Sequence, residues 1–372
     1  MLSPFDDFPI HSSADPIAHT ASADVNHYDR SFFNGHDRDG DFFFGAAMGH
    51  YPNRAVIDGA FSLSVDGVQH SFFASGRMPL DRSTTIGPLR IEILEPLQKL
   101  RFVVDPNETG IEVDLVYEGR TVTVEEPRQR KVGPDGILFT DHTRMTQWGA
   151  WSGVVRIDGD ELRLAPGQVT GTKDRSWGVR GVGEHTPTNK PFVMPQVFWL
   201  WAPLHFEDRF THLGLHENTD GSRWFESALV LEPRPPGAEP WSTAGVRECR
   251  DIRHQIEWEP GRREMRRASL WFTDPIEGET RIDLEKCFTF YMQGIGYHHP
   301  YWAHGRAHGE LEFGRDSITL DEVDPSDLTR GHIQTVVRAR TGDRTGIGVL
   351  EQVVYGAHDP TGFSGLFDGH PG

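Results

Sequence analysis

Apolar and polar positions along this chain fall into many short segments divided by turn signals, and no long stretch carries a helical period. Up to residue 40 even that pattern is missing. Pro, His, Ser and Asp are scattered there, which predicts an irregular arm over 1–40. From Asp41 the segments become strand-like. Phe42–Met48 leads into a turn at Tyr51-Pro52-Asn53-Arg54, and Ala55–Val65 and Gln69–Ala74 flank Asp66-Gly67, a strong hairpin signal. Leu89–Leu94, Leu100–Val104 and Ile111–Tyr117 follow, and a second Asp-Gly pair, Asp158-Gly159, lies between Val154–Ile157 and Leu162–Leu164. Thr140–Trp151 reads as a short helix or an aromatic-rich strand.

A second series starts after a Gly/Pro/Thr-rich crossing at 181–195. It runs through Val197–Leu204, Thr211–His216, Trp224–Leu231, Ile252–Trp258, Arg267–Phe272, Arg281–Tyr291, Gly309–Phe313, His332–Arg340 and Gly346–Val354. The expectation is an all-β protein of two antiparallel barrels or sandwiches with few short helices. The arm at 1–40 precedes a first β domain at 41–185 and a second at 186–358, with a Gly/Pro-rich tail at 359–372. A length of 372 residues suits two cores better than one.

Composition narrows the function. Hydrophobic residues at 37%, with 10 Trp and 23 Phe, suffice for a sizeable interior and are compatible with an apolar cavity. A formal net charge of -18 repels phosphate backbones, so nucleic acid is not an expected partner. Cys249 and Cys287 stand far apart, without metal-ligand spacing, and make no disulfide framework. The first residues lack a basic and apolar leader, and no run of about 18 apolar residues occurs. The reading is a cytoplasmic protein with no integral membrane segment, for which a homodimer is left open.

One stretch concentrates chemistry: Gly171-Thr172-Lys173-Asp174-Arg175-Ser176-Trp177-Gly178-Val179-Arg180. It reads as a turn between domains, serving either as a structural corner or as the device that aims Asp174 and Trp177 into a cavity. A carboxyl in an apolar pocket keeps its proton near neutrality and can act as an acid. Arg175 or Arg180 beside it would hold it ionised and make it structural. In Val197–Leu204, alternation puts Trp199 and Trp201 on one face and Phe198 and Leu200 on the other. The paired indoles are either core or a surface for a cation, worth roughly 0.5 to 2 kcal/mol per face.

The motif G-x-x-D-x-S-W-G, followed by the aromatic strand Phe198-Trp199-Leu200-Trp201, resembles the two-domain lipocalin-like superfamily. That group includes the acyclic carotenoid 1,2-hydratases (hydroxyneurosporene synthases), kievitone hydratase and fungal lipocalin-like Diels–Alderases. The G-x-x-x-G-x-Y-P-N-R turn within Phe44–Val65 and the G-x-G-Y-x-H-P-x-W-x-H-G run over Gly294–Gly309 look closer to an uncharacterised bacterial branch. The resemblance spans 30–357 and implies two calycin-like barrels with an apolar, isoprenoid-like or polyketide-like ligand near their junction. It leaves the reaction open.

The Tyr297–Glu310 stretch offers His298, His299, His304 and His308, but Pro300 and Gly305 break the register of a metal site. A loop over the pocket mouth is the expectation, with His299 or His304 orienting water or acting as base and Tyr297, Trp302 and Arg180 contacting substrate. His212 and His216 share one strand face, Glu217 takes the other, and Asp58 is a further candidate acid. No cofactor and no metal are read from the motifs. Three classes remain: a cofactor-independent lyase or isomerase, with hydration of a C=C bond in a hydrophobic substrate as the leading case; a carrier of such a ligand; and a carbohydrate-active or carbohydrate-binding protein, with Asp174 and Glu184 as the paired carboxylates that hydrolysis needs.

Overall fold

Asp66 and Gly67 both adopt positive φ, 51° and 77°, the geometry that lets a two-residue turn follow the twist of its strands. They join Val56–Val65 to Val68–Arg77. In this computed structural model, which describes residues 7, 19–133, 136–182 and 194–370, such hairpins build two large antiparallel sheets.

Across the first sheet the strands run Leu311–Thr319, Val68–Arg77, Val56–Val65, Phe43–Tyr51, His27–Asp37, Asp160–Arg180, Leu138–Ile157, Ile111–Gly119, Lys99–Val104, Leu89–Glu95 and Thr85–Ile86. The last of these returns against Val56–Val65 and Val68–Arg77, so the sheet curls into a barrel. Its interior holds Phe44, Phe61, Phe102, Leu115, Tyr117 and Trp151. The second sheet runs Val246–Glu248, Arg223–Leu231, Phe210–Glu217, Val197–Trp201, Arg344–Tyr355, His332–Thr341, Gly278–Tyr291, Met265–Asp274 and Arg250–Trp258. Phe198, Leu200, Leu215, Leu270 and Leu350 lie within it. Helical segments among the described residues are short 3-10 turns. The molecule is thus all-β, as expected.

Two details differ from expectation, and one open choice is decided. His27–Asp37 is a central strand of the first sheet, although it falls in the stretch read as an irregular arm. Leu311–Thr319, late in the chain, pairs with Val68–Arg77 and covers what would be an open edge of the first sheet. Thr140–Trp151 is strand throughout, within Leu138–Ile157.

A third apolar layer lies between the sheets. Phe32, Phe43, Ala60 and Phe73 on the outside of the first meet Trp199, Trp201, Phe290 and Val349 of the second. Several strands are therefore covered on both faces. Their outward polar residues face a protein interior, and that seam holds the candidate site.

Candidate active site

Gly171–Arg180 is the end of the long strand Asp160–Arg180 and makes no turn. Alternation then separates residues that the sequence reading put together. Lys173 and Arg175 point into the first barrel, where Lys173 Nζ pairs with Asp7 at 2.9 Å and Arg175 with Asp29 at 2.9 Å. Trp177 shares their face and packs with Leu97, Met145 and Trp241. Asp174 points the other way, into the seam. Trp177 is thus no part of Asp174's surroundings.

The arginine that meets Asp174 is Arg144, which comes from the neighbouring strand, at 3.1 Å from Nε to Oδ2. One guanidinium serves three acids here. Glu126 lies 3.9 Å from Arg144, and Glu351 also faces it. The other two acids have further partners. Glu126 has His212 at 3.3 Å, the Thr146 hydroxyl donating at 2.6 Å and Trp201 Nε1–H donating at 3.3 Å. Glu351 has His332 at 3.2 Å, Gln334 Nε2–H donating at 2.6 Å and Trp199 Nε1–H donating at 2.9 Å.

These differences sort the protons. Burial works against both glutamates, yet His212 and Arg144 bring Glu126 down to about 2, and His332 and Arg144 do the same for Glu351. Asp174 has the shared Arg144 at ion-pair distance and Arg180 farther off. Burial, reinforced by Glu126 and Glu351, outweighs Arg144 and pushes it up to about 7. An ion-pair distance to arginine therefore does not make this carboxyl an ordinary carboxylate.

His142 faces the same space from two residues before Arg144, opposite Gly178. Thr140 Oγ1 lies 2.7 Å from His142 Nδ1 and 3.3 Å from the Val179 carbonyl; when the hydroxyl donates to that carbonyl, Nδ1–H is the donor to Thr140. Nε2 is buried without a hydrogen-bond partner, and in that tautomer it is a bare lone pair. Burial, with Arg180 and Arg144 nearby, holds this imidazole well below its usual range. It is therefore neutral at ordinary pH. The two strands approach closely here because residue 178 has no side chain: a Cβ there would stand 2.3 Å from the Asp141 carbonyl oxygen.

Trp199 and Trp201 share the seam face, as alternation required, but their rings are already engaged. Arg144 lies over both, 5.2 and 5.8 Å from the ring centres, and His216 packs on Trp199 at 4.4 Å. His216 stacks in turn on half-buried Trp224 at 4.3 Å, so packed rings run from Trp224 to Arg144. Their role as open surfaces for a cation is not met in this arrangement.

Tyr297 joins the group by accepting from Arg180 at 3.4 Å and packing edge-on against His304 and His332. His304 itself bonds the Ile295 carbonyl at 2.8 Å and orders its own loop. His299 and Trp302 lie elsewhere. Both pack on Phe73, and His299 reaches Asp316 at 3.4 Å. Asp58, pushed up to about 6 by burial, accepts from Gly305 N–H at 2.7 Å and from the Tyr51 hydroxyl at 3.2 Å. It holds that loop to the first sheet. Glu217, on the opposite face from His216, takes His254 and His358 at 3.0 and 3.2 Å. Glu184 lies outside the described residues.

Arg144, Glu126, His142, Glu351 and His332 were not singled out from sequence. Only the two-residue spacing of His142, Arg144 and Thr146 along an aromatic-rich strand marks any of them.

A family model described as a family of unknown function (DUF8625) matches residues 2–364. No curated protein matches the chain in sequence. Among solved structures, a candidate AttH of Nitrosomonas europaea aligns with 95% of this chain and 99% of its own, at 12% identity and a TM-score of 0.54. CghA aligns with 94% and 95%, at 12% identity and 0.50. Kievitone hydratase of Nectria haematococca aligns with 94% and 98%, at 12% identity and 0.49. The first two likenesses concern the fold: two lipocalin-like β units in one chain. No helix among the described residues is long and apolar enough to cross a membrane.

Proposed function

The chain belongs to that family of unknown function, and from this premise we propose that it is a cofactor-independent lyase or isomerase. Its leading reaction is addition of water across a C=C bond of a hydrophobic, isoprenoid-like or polyketide-like substrate held at the seam. The observation that carries the reading is the unequal sharing of Arg144. Burial raises Asp174 to about 7, so that it keeps a proton part of the time at neutrality, while Glu126 and Glu351 are held at about 2. A buried carboxylic acid near pH 7 can donate to an alkene carbon.

In this scheme Asp174 Oδ–H protonates the alkene. The resulting cation lies in the field of three carboxylates, Asp174 now among them. A water molecule attacks the cation, and His142 Nε2 takes its second proton. Transfer of that proton back to Asp174 through solvent completes the cycle, with alkene and water consumed and alcohol formed. Arg144 and the two glutamates position and tune the acid without touching the reacting atoms. The sequence resemblance to the hydratase-containing superfamily supports the same reaction class.

The test is native mass spectrometry with organic extraction of the purified protein, wild type against Asp174→Asn. The expected outcome is an alkene retained by the variant and a product heavier by one water, or an isomer, from the wild type. The same unchanged molecule in both would instead make the protein a carrier.

A further inference from the structure

Among the described residues, Arg180 is a half-buried seam cation whose guanidinium has tyrosines for partners. Its guanidinium lies 4.8 Å from the ring centre of Tyr28 and 5.7 Å from that of Tyr297, and its hydrogen bond to Tyr297 Oη is long, at 3.4 Å. Among the described residues no carboxylate lies within ion-pair distance of it. Its neighbours differ. Arg144 has Asp174 and Glu126, and Arg175 has Asp29. Arg30, equally without an acid, is fully buried and bonds to the Tyr51 hydroxyl and the Ile295 carbonyl, both at 3.2 Å.

Arg180 is only half-buried, as are Tyr297, His216 and Trp224. A cation withdrawn from water without a counter-charge is unfavourable, and a guanidinium presents a planar fork of donors that fits a carboxylate. The bare Nε2 of His142 belongs to the same space, and Arg180 is among the charges that keep it neutral. Neutralising Arg180 would ease protonation of His142 and so help the base in its role.

We propose that the seam takes an apolar ligand bearing a carboxylate, and that Arg180 is the residue that holds this carboxylate at the mouth. The proposal rests on reading the seam as a ligand site. A planar fork of donors matches a planar carboxylate, and Arg30, over the same Tyr297 ring, already has its donors on the Tyr51 hydroxyl and the Ile295 carbonyl.

Calorimetric titration of the full chain tests it with three matched pairs of acid and neutral amide: benzoate and benzamide, 2-naphthoate and 2-naphthamide, decanoate and decanamide. At least one acid should bind about tenfold tighter than its amide, as a charge-assisted hydrogen bond requires. Arg180→Gln should erase that preference while leaving the amide's affinity in place, which also reports an intact site. Arg180→Lys, which keeps the charge and loses the fork, should retain part of the preference and carries the test if the glutamine variant does not fold. Equal binding of acid and amide, or a preference that survives Arg180→Gln, overturns the carboxylate assignment but leaves the seam as a ligand site. If no member of any pair binds, both readings fall.

Discussion

At the scale of single residues, what distinguishes Asp174 from Glu126 and Glu351 is its set of partners, since all three acids are buried. Each glutamate has a histidine and hydrogen-bond donors of its own, whereas Asp174 has a share in Arg144. The consequence can be measured in stability. Asp174 is raised from 3.8 to about 7, so between these values the folded protein holds a proton that the unfolded chain has lost. Its contribution is favourable below about pH 4 and is lost as pH rises through about 7. Asp174→Asn removes this dependence. Against wild type the variant should gain on the order of a few kcal/mol between about pH 4 and pH 8 in urea unfolding. Asp58 titrates in the same window, but does so in both proteins and drops out of the difference. Parallel stability curves would mean that Asp174 is an ordinary carboxylate.

Among elements, the hairpins were the most legible. Asp66-Gly67 and Asp158-Gly159 sit where the sequence reading placed them, because a two-residue turn needs positive φ at both positions and Asp-Gly supplies it. Gly171–Arg180 was misread for a physical reason. That strand lies between a barrel interior with its own ion pairs and a seam with another set, so polar residues occur on both faces and the two-residue period vanishes. Its glycines look like turn signals but make room. Gly178 has φ of 136° and no space for a Cβ beside the Asp141 carbonyl. Gly178→Ala should cost on the order of 1–3 kcal/mol in thermal unfolding and disturb His142, its cross-strand neighbour. An unchanged melting temperature would show that the strand pair relaxes there without strain.

For the whole molecule, the site depends on both sheets. The first contributes Asp174, Arg144, Glu126 and His142, and the second contributes Glu351, His332, His212 and the indoles. Sequence could reveal that Trp199 and Trp201 share a face, since this follows from alternation within one strand. It could not reveal that Arg144 and Glu351 meet, because the pairing depends on how two barrels pack. For the same reason the arginine expected beside Asp174 was sought among its chain neighbours and came from the adjacent strand. Arg175, next to it in sequence, faces the other way. The measurement that bears most directly on this account is a site-resolved titration of the Asp174 carboxyl by carbon NMR, assigned with Asp174→Asn. A midpoint near 7, as burial and the two ionised glutamates require, is the predicted result. A midpoint below 4 would mean that Arg144 keeps Asp174 ionised, and Asp174 would then be a structural ion-pair residue with no proton to give.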